Sequence, residues 1–250
     1  MAFKNPHESH DHSKQILDLL YQYDSFLDSL SVIADFGCGA GLDVEWWATL
    51  HTRDDPPEPR NYMVYAVDQK DTLEPGIKEL PNVKLIVDDF ERDRVLPRKC
   101  DFLWVHDSFQ YCLNPINTLK IWNQQMAVNG MMVLSIPQNS HYSYNRPVNI
   151  SQTGSYYNHN LVSLIYMLAV NGFDCRDAYF LKDSNDPWLY AAVYKSDIEP
   201  MDPRTTSWHD LASKNLISDF AIESLTKYNH VRQEDIFTVW LDKMIYFTKE

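Results

Sequence analysis

The sequence predicts an α/β fold whose sheet has seven strands, mostly parallel, with an antiparallel hairpin as its last two strands. From about residue 30 to residue 196, short apolar runs of strand-like composition alternate with segments that have helical spacing. The final two runs, Phe173 to Leu181 and Trp188 to Lys195, are separated only by a short polar turn. This arrangement is typical of an antiparallel hairpin.

Length and charge limit the classes of function. The chain has 250 residues and 44% hydrophobic content, enough for one large core or for a domain with an appendage. We divide it into a helical lead-in (1–30), a central domain (31–197) and a helical extension (198–250). The net charge of -13 argues against general nucleic-acid binding, because an acidic surface repels phosphate backbones.

Cysteine use and hydropathy indicate a soluble, cytoplasmic protein without a membrane partner. The four cysteines lie far apart in the sequence and are expected to be reduced and buried. No apolar run approaches the length of about 18 residues that a membrane span needs, and the N-terminus lacks the apolar core of a signal peptide. The segment His7 to His12 could bind a metal, but we favour a solvated lead-in capped at Asp11 or Ser13, and predict no metal site.

The first predicted elements are a helix, a strand and a second helix. Ser13 to Leu30 has apolar residues at helical spacing, and Val32 to Ala34 has the β-branched character of a buried parallel strand. Leu42 to Leu50 follows as a helix with one apolar face. The glycine-rich loop 37–41 joins the strand to this helix, a context in which backbone approaches a ligand closely.

The spacing of the glycines indicates which ligand this loop binds. They fall as G-x-G-x-G, and Leu42 stands where a dinucleotide-binding loop has its third glycine. The segment Asp35-Phe36-Gly37-Cys38-Gly39-Ala40-Gly41 resembles motif I of the class I S-adenosylmethionine (SAM) methyltransferases. The alternative is a glycine turn that binds no ligand.

The resemblance implies a Rossmann-like class I methyltransferase fold, with SAM as the cofactor of the central domain. Asp35 would face the SAM ammonium group, and free N–H groups of the loop would bind the SAM carboxylate. The residues that the resemblance assigns to SAM in this loop are Asp35, Gly37, Cys38, Gly39 and Gly41.

The next two strands end at further acidic residues. Met63 to Val67 is a predicted strand, and the resemblance places Asp68 on the ribose hydroxyls of SAM and Gln69 against the adenosine; alternatively, Asp68 caps the next helix, Leu73 to Leu80. Val83 to Val87 is the third strand. Asp89 and Phe90 would follow it against the adenine, with Asp88 as the alternative register.

The fourth strand, Cys100 to Val105, ends at His106, which the resemblance places at the mouth of the site and in contact with SAM. Asn114-Pro115 opens a helix that reaches about Met126. Val128 to Gly130 is predicted as a turn, and Met131 to Ile136 as the fifth strand.

An irregular segment, 139–160, is rich in aromatic and amide side chains, which are typical of an acceptor pocket. We expect the acceptor to contact tyrosines of this segment and one before it, although each could instead be buried in the core: Tyr111, Tyr142, Tyr144, Tyr156 and Tyr157. A helix, Asn160 to Asn171, precedes the hairpin.

The C-terminal extension is predicted to hold two amphipathic helices after a linker at 198–203. Ser207 to Thr226 and Gln233 to Phe247 could pack on the domain, cover the pocket or form a homodimer surface.

The expected activity is transfer of a methyl group from SAM to an oxygen or nitrogen of a small-molecule acceptor. A general base is needed only if the acceptor is protonated, and His106 is the first candidate, followed by His141 and His159. The alternative is a catalytically silent protein that binds SAM and serves as an assembly partner. A nicotinamide-dependent oxidoreductase is disfavoured by Leu42.

Overall fold

The computed structural model describes residues 6–137, 159, 161–182 and 188–229, and these residues build a single seven-stranded sheet. Its strands are β1 (Val32–Phe36), β2 (Met63–Asp68), β3 (Val83–Val87), β4 (Cys100–His106), β5 (Met126–Pro137), β6 (Phe173–Lys182) and β7 (Trp188–Lys195). The helices are α1 (Pro6–Leu20), α2 (Asp24–Asp28), α3 (Leu42–Ala48), α4 (Pro75–Lys78), α5 (Pro115–Gln125), α6 (Leu161–Val170), α7 (Trp208–Ser213) and α8 (Asp219–Tyr228).

The strand order is β3-β2-β1-β4-β5-β7-β6. Strands β1 to β5 pair in parallel, and β7 is antiparallel to both β5 and β6. The order reverses between β1 and β4, and open α/β sheets bind ligands at the carboxyl edge next to such a reversal. The predicted sheet, including its C-terminal hairpin, is confirmed.

Each face of the sheet carries its own hydrophobic cluster. One cluster joins α1, α2 and α3 to side chains such as Ile33, Phe102 and Trp104. The other joins α5, α6, α7 and α8 to side chains such as Phe36, Leu103 and Leu134. Successive side chains of β4 point to opposite faces of the sheet, and each therefore packs against the helices on its own face.

The N-terminal helix differs from the prediction of one helix over Ser13 to Leu30. Helix α1 begins at Pro6, since proline is favoured in the first helical turn, and it ends at Leu20. Ser13 is not a cap; it is buried, and its hydroxyl donates to Asp43 in α3 (2.6 Å). A separate helix, α2, follows and keeps Leu27 in the same cluster as α1.

Strand β5 begins five residues before the predicted start at Met131. The predicted turn over Val128 to Gly130 lies inside the strand, because Met126 already pairs with Cys100 and the register then shifts before Met131 pairs with Phe102. Asn129 adopts a left-handed conformation (φ 62°) within this irregularity. The turn residues therefore produce a bulge and do not end the strand.

Two other predicted helices have different limits. The helix predicted over Leu73 to Leu80 is one turn, α4, because Pro75 starts it. The helix predicted over Ser207 to Thr226 is divided into α7 and α8, each with a serine N-cap. The predicted helix Gln233 to Phe247 lies outside the described residues, as does the irregular segment except for His159.

Candidate functional site

The glycine loop joins β1 to α3 at the carboxyl edge of the sheet, and its three glycines have different surroundings. A Cβ atom on Gly37 would overlap the side chain of Ser108, and one on Gly41 would overlap Leu73. A Cβ on Gly39 would meet no protein atom within 4 Å. Packing therefore requires the first and third glycines, whereas Gly39 borders open space that a ligand can use.

Four of the five N–H groups of this loop are already bonded within the protein. Those of Gly37 and Cys38 donate to the carbonyl oxygen of Val67, and that of Gly41 donates to Cys38. The N–H of Gly39 donates to Asp68 Oδ2 (3.0 Å). The expectation that these N–H groups are free to bind a ligand carboxylate is therefore wrong for all four.

Asp35 is the most unusual ionisable group of the site. Its side chain is 3% exposed at the end of β1, and no described residue donates a hydrogen bond to it. Burial raises the pKa of the Asp35 carboxyl well above its ordinary value, and the negative charges of Asp43 and Asp68 raise it further. A cation bound here would favour the ionised form and offset these costs.

Asp43 is an additional site residue that the sequence did not reveal. It lies in the first turn of α3 and accepts hydrogen bonds from Ser13 Oγ (2.6 Å) and Trp104 Nε1 (2.9 Å). Nδ1 of His10 lies 2.6 Å from Asp43 Oδ1, the same oxygen that accepts from Ser13 Oγ, and this hydrogen bond raises the pKa of His10. Helix α1 is thereby fastened beside the loop.

The end of β2 places Asp68 under the loop. Besides the Gly39 N–H, the carboxylate of Asp68 accepts the N–H of Lys70 (3.3 Å). Gln69, which the resemblance assigns to the cofactor, is exposed beside it. Cys38 is half-buried, and burial is the main cause that raises the pKa of its thiol, so it remains protonated at neutral pH.

The end of β3 carries two residues predicted to bind adenine. Asp89 Oδ1 accepts the N–H of Glu91 (2.9 Å) and so stabilises the local turn. The Phe90 ring is buried, and it stacks on Phe36 with a centroid separation of 6.3 Å. Asp88, the alternative register, is bonded to Arg92 (2.9 Å).

The end of β4 is a tightly bonded corner. The His106 ring stacks on Trp104 at 6.1 Å and 9°. Asp107 has a left-handed backbone (φ 52°), and its main-chain and side-chain oxygens both accept from Gln110 Nε2. Because Nε2 is held in this way, the Gln110 Oε1 atom is a buried acceptor without a partner among the described residues.

The structure separates two of the three predicted bases. His159 stacks on Phe109 (5.2 Å), which belongs to the cluster opposite that of Trp104. Burial lowers the pKa of His159 to about 4, so at neutral pH it is an uncharged but weak base. His141 and the predicted acceptor residues Tyr142, Tyr144, Tyr156 and Tyr157 lie outside the described residues, and Tyr111 is half-buried after β4.

Two negative findings apply to the described part of the chain. It contains no group of three His, Cys, Asp or Glu side chains placed to hold a metal ion. Within the same residues, no helix has both the length and the apolar character that crossing a membrane requires.

Comparison with known proteins identifies the fold. No family model matches the chain, and no curated protein matches it. Among solved structures, the N-methyltransferase NodS from Bradyrhizobium japonicum WM9, in complex with S-adenosylhomocysteine (SAH), is 15% identical, with a TM-score of 0.53 over 78% of this chain and 90% of that chain.

A second solved structure is the 1,6-didemethyltoxoflavin-N1-methyltransferase of Burkholderia thailandensis, with bound 1,6-didemethyltoxoflavin and SAH. It is 14% identical, with a TM-score of 0.50 over 79% of this chain and 93% of that chain. At such identity a likeness defines the fold alone. The chain therefore has the Rossmann-like fold that these methyltransferases share.

Proposed function

We propose that this protein binds SAM at the glycine loop and transfers its methyl group to a small-molecule acceptor. The observation that carries the proposal is the buried carboxyl of Asp35, which has two acidic neighbours and no hydrogen-bond donor among the described residues. Such a group is costly unless a cation pairs with it. The open side of Gly39 and the fold shared with SAH-bound methyltransferases support the same conclusion.

The residues present fit SAM better than they fit a phosphate-bearing cofactor. SAM carries an ammonium and a sulfonium, whereas a pyrophosphate would face the carboxylates of Asp35, Asp43 and Asp68. In this proposal Asp35 pairs with the ammonium, and Asp68 accepts hydrogen bonds from the ribose hydroxyls. When bound, SAM supplies an electrophilic methyl group whose leaving group is a neutral thioether.

The residues of the chain would chiefly orient the acceptor, since holding two reactants in place lowers the barrier of a bimolecular step. His106 is our candidate base for an acceptor that must lose a proton, because it lies at the carboxyl edge of β4 beside Trp104. We do not assign this role to His159, whose pKa is about 4.

Calorimetric titration with SAM and with SAH tests the binding, and mass spectrometry of acceptor mixtures tests the turnover. The proposal expects saturable binding of both compounds and a mass increase of one methyl group in an acceptor. Binding without any turnover would favour the alternative of a SAM-binding assembly partner. If neither SAM nor SAH binds, both functions are refuted.

Asp68→Ala is expected to weaken SAM binding by about 10- to 100-fold, as the loss of charge-assisted hydrogen bonds worth roughly 1–3 kcal/mol predicts. The loop also loses the acceptor of the Gly39 N–H. Calorimetry of the variant measures the change in Kd. The matched control is Asp71→Ala, which removes an exposed carboxylate paired with Lys78. Equal affinity in the Asp68→Ala variant and the wild type would exclude the ribose-binding role.

The affinity for SAM is expected to rise with pH up to the raised pKa that the Asp35 carboxyl has in the free protein. In the free protein the pKa of Asp35 is raised, so the carboxyl keeps its proton to a higher pH than usual. A bound cation lowers that pKa, and binding therefore releases a proton. The measurements are kept below about pH 7.5, where the α-amino group of SAM is still protonated, since such groups have a pKa of about 7.7–8.0. Calorimetry in two buffers of different ionisation enthalpy counts the protons. A flat profile in the wild type, or an unchanged one in Asp35→Asn, would contradict the assignment.

A further inference from the structure

A row of three polar side chains crosses the sheet at its carboxyl edge, on the face that carries α1 and α3. Ser135 of β5 pairs in register with His106 of β4 on one side and with Tyr190 of β7 on the other. Directly paired residues project to the same face of a sheet. The next row, towards the amino ends of β4 and β5, is apolar on that face and consists of Trp104, Val133 and Ala192.

The hydroxyl of Ser135 has an unusual environment. The residue is 1% exposed, and its Oγ has no hydrogen-bond partner among the described residues. The backbone at this point is well fixed, because the carbonyl oxygen of Ser135 accepts the N–H of Asp107 (3.2 Å). A buried hydroxyl without a partner costs about 1–3 kcal/mol, and a ligand that hydrogen-bonds to Ser135 Oγ would remove this cost.

The row is adjacent to the proposed cofactor site. His106 stacks on Trp104, and Trp104 Nε1 donates to Asp43, whose charge acts on Asp35. A molecule lying on the row would therefore be next to the cation-binding end of β1. Its three side chains are uncharged or weakly basic and are at most 9% exposed. Burying a charged acceptor on this surface would be costly, because the row offers no opposite charge to pair with it.

We propose that the row formed by His106, Ser135 and Tyr190 receives the acceptor, and that the acceptor is an uncharged small molecule bearing a hydroxyl group that hydrogen-bonds to Ser135 Oγ. This inference rests on the proposed methyltransferase function and specifies its substrate class. Ser135 is a specificity-determining residue in this account, since its hydroxyl pairs with a polar group of the acceptor and not with the protein.

The test uses the full chain loaded with SAH and a panel of phenols, benzyl alcohols and aliphatic alcohols, each matched with its ammonium or carboxylate counterpart. Ligand-observed NMR measures the affinities. We expect hydroxyl compounds to bind at least about tenfold more tightly than their charged counterparts, and Ser135→Ala to weaken them by about 5- to 10-fold. Ser135→Thr, which keeps a hydroxyl, should restore most of the binding.

Two further readouts distinguish a binding role from a structural one. Ser135→Ala removes a buried hydroxyl without a partner among the described residues, so its melting temperature should not fall below that of the wild type, and its Kd for SAM should be unchanged. The control variant is Ser213→Ala in α7, an exposed serine whose hydroxyl donates to Asp210. It should leave every affinity unchanged.

The outcomes separate this inference from the proposed function. If SAM and SAH fail to bind the wild type, the proposed function fails. If they bind, but hydroxyl compounds do not bind, bind no better than charged ones, or bind equally to Ser135→Ala, only the assignment of the row is overturned. A lower melting temperature of Ser135→Ala with unchanged ligand affinity would likewise assign Ser135 to structure.

Discussion

Gly39→Val is expected to lower the affinity for SAM by at least about 100-fold, or about 2.8 kcal/mol. A Cβ at this position meets no protein atom within 4 Å, so a valine side chain would project into the space that we assign to the cofactor. The fold should survive, although the left-handed backbone of Gly39 (φ 53°) costs a β-branched residue roughly 1–2 kcal/mol. Calorimetry and thermal unfolding measure the two effects separately.

Gly76→Val is the matched control, because a Cβ on Gly76 also meets no protein atom within 4 Å. Gly76 lies in α4, outside the loop, so this variant should bind SAM as the wild type does. Gly37→Ala should behave differently from both, since its Cβ overlaps Ser108 and lowers the stability of the protein itself. Full SAM affinity in Gly39→Val would show that the loop only connects β1 to α3.

Asp35→Asn is expected to change stability and binding in opposite directions. The free protein should become more stable at neutral pH by about 1–3 kcal/mol, because the amide avoids the cost of burying a carboxyl whose pKa is raised by folding. The affinity for SAM should fall by about 10- to 100-fold, because the ammonium loses its carboxylate. Chemical denaturation and calorimetry measure the two quantities on the same preparation.

The pH dependence of the stability provides a further check. A carboxyl whose pKa is raised by folding stabilises the protein fully below its unfolded pKa, and this contribution is lost as the pH rises through the folded value. The wild type should therefore lose stability as the pH rises from the unfolded pKa to the folded pKa of Asp35, and Asp35→Asn should not. Asp101→Asn is the contrasting control, because Asp101 accepts hydrogen bonds from the N–H groups of Ser31 and Val32. This variant should lose stability and keep the wild-type affinity for SAM.

A variant that loses both stability and affinity would indicate that Asp35 supports the fold. A variant that gains stability and keeps its affinity would show that the ligand does not use this carboxyl. Either result would remove the main physical argument for a cationic cofactor.

The sheet could be predicted because its signal is local. Buried parallel strands are short apolar runs, and the C-terminal hairpin is marked by two such runs around a polar turn. Helix limits were less predictable, since the residues of α1 and α2 have one continuous helical pattern and only packing on the sheet places the turn between them. Similarly, Asn129 and Gly130 are residues typical of turns. Because Met126 pairs with Cys100, they form a bulge within β5 and not a turn before it.

Of the site residues, only those at the carboxyl end of a strand could be predicted from the sequence. Asp35, Asp68 and His106 could be found in this way. Asp43 could not, because its partner His10 is 33 residues away in the sequence. Nor could Ser135, whose position beside His106 depends on the register of two strands.

The glycine loop shows the same limit. In sequence its three glycines are equivalent, and only Ser108 and Leu73, brought close by the fold, show that two of them serve packing. The glycine pattern therefore predicts a binding loop. Which glycine borders the proposed ligand space is evident only from the residues that the fold brings next to each one.

A crystal structure of the protein grown with SAH tests the central claim most directly. The account predicts the amino group of SAH within hydrogen-bond distance of Asp35, the ribose hydroxyls at Asp68, and ligand atoms in van der Waals contact with Gly39. Clear density for SAH at another place, or protein atoms filling the space beside Gly39, would contradict it.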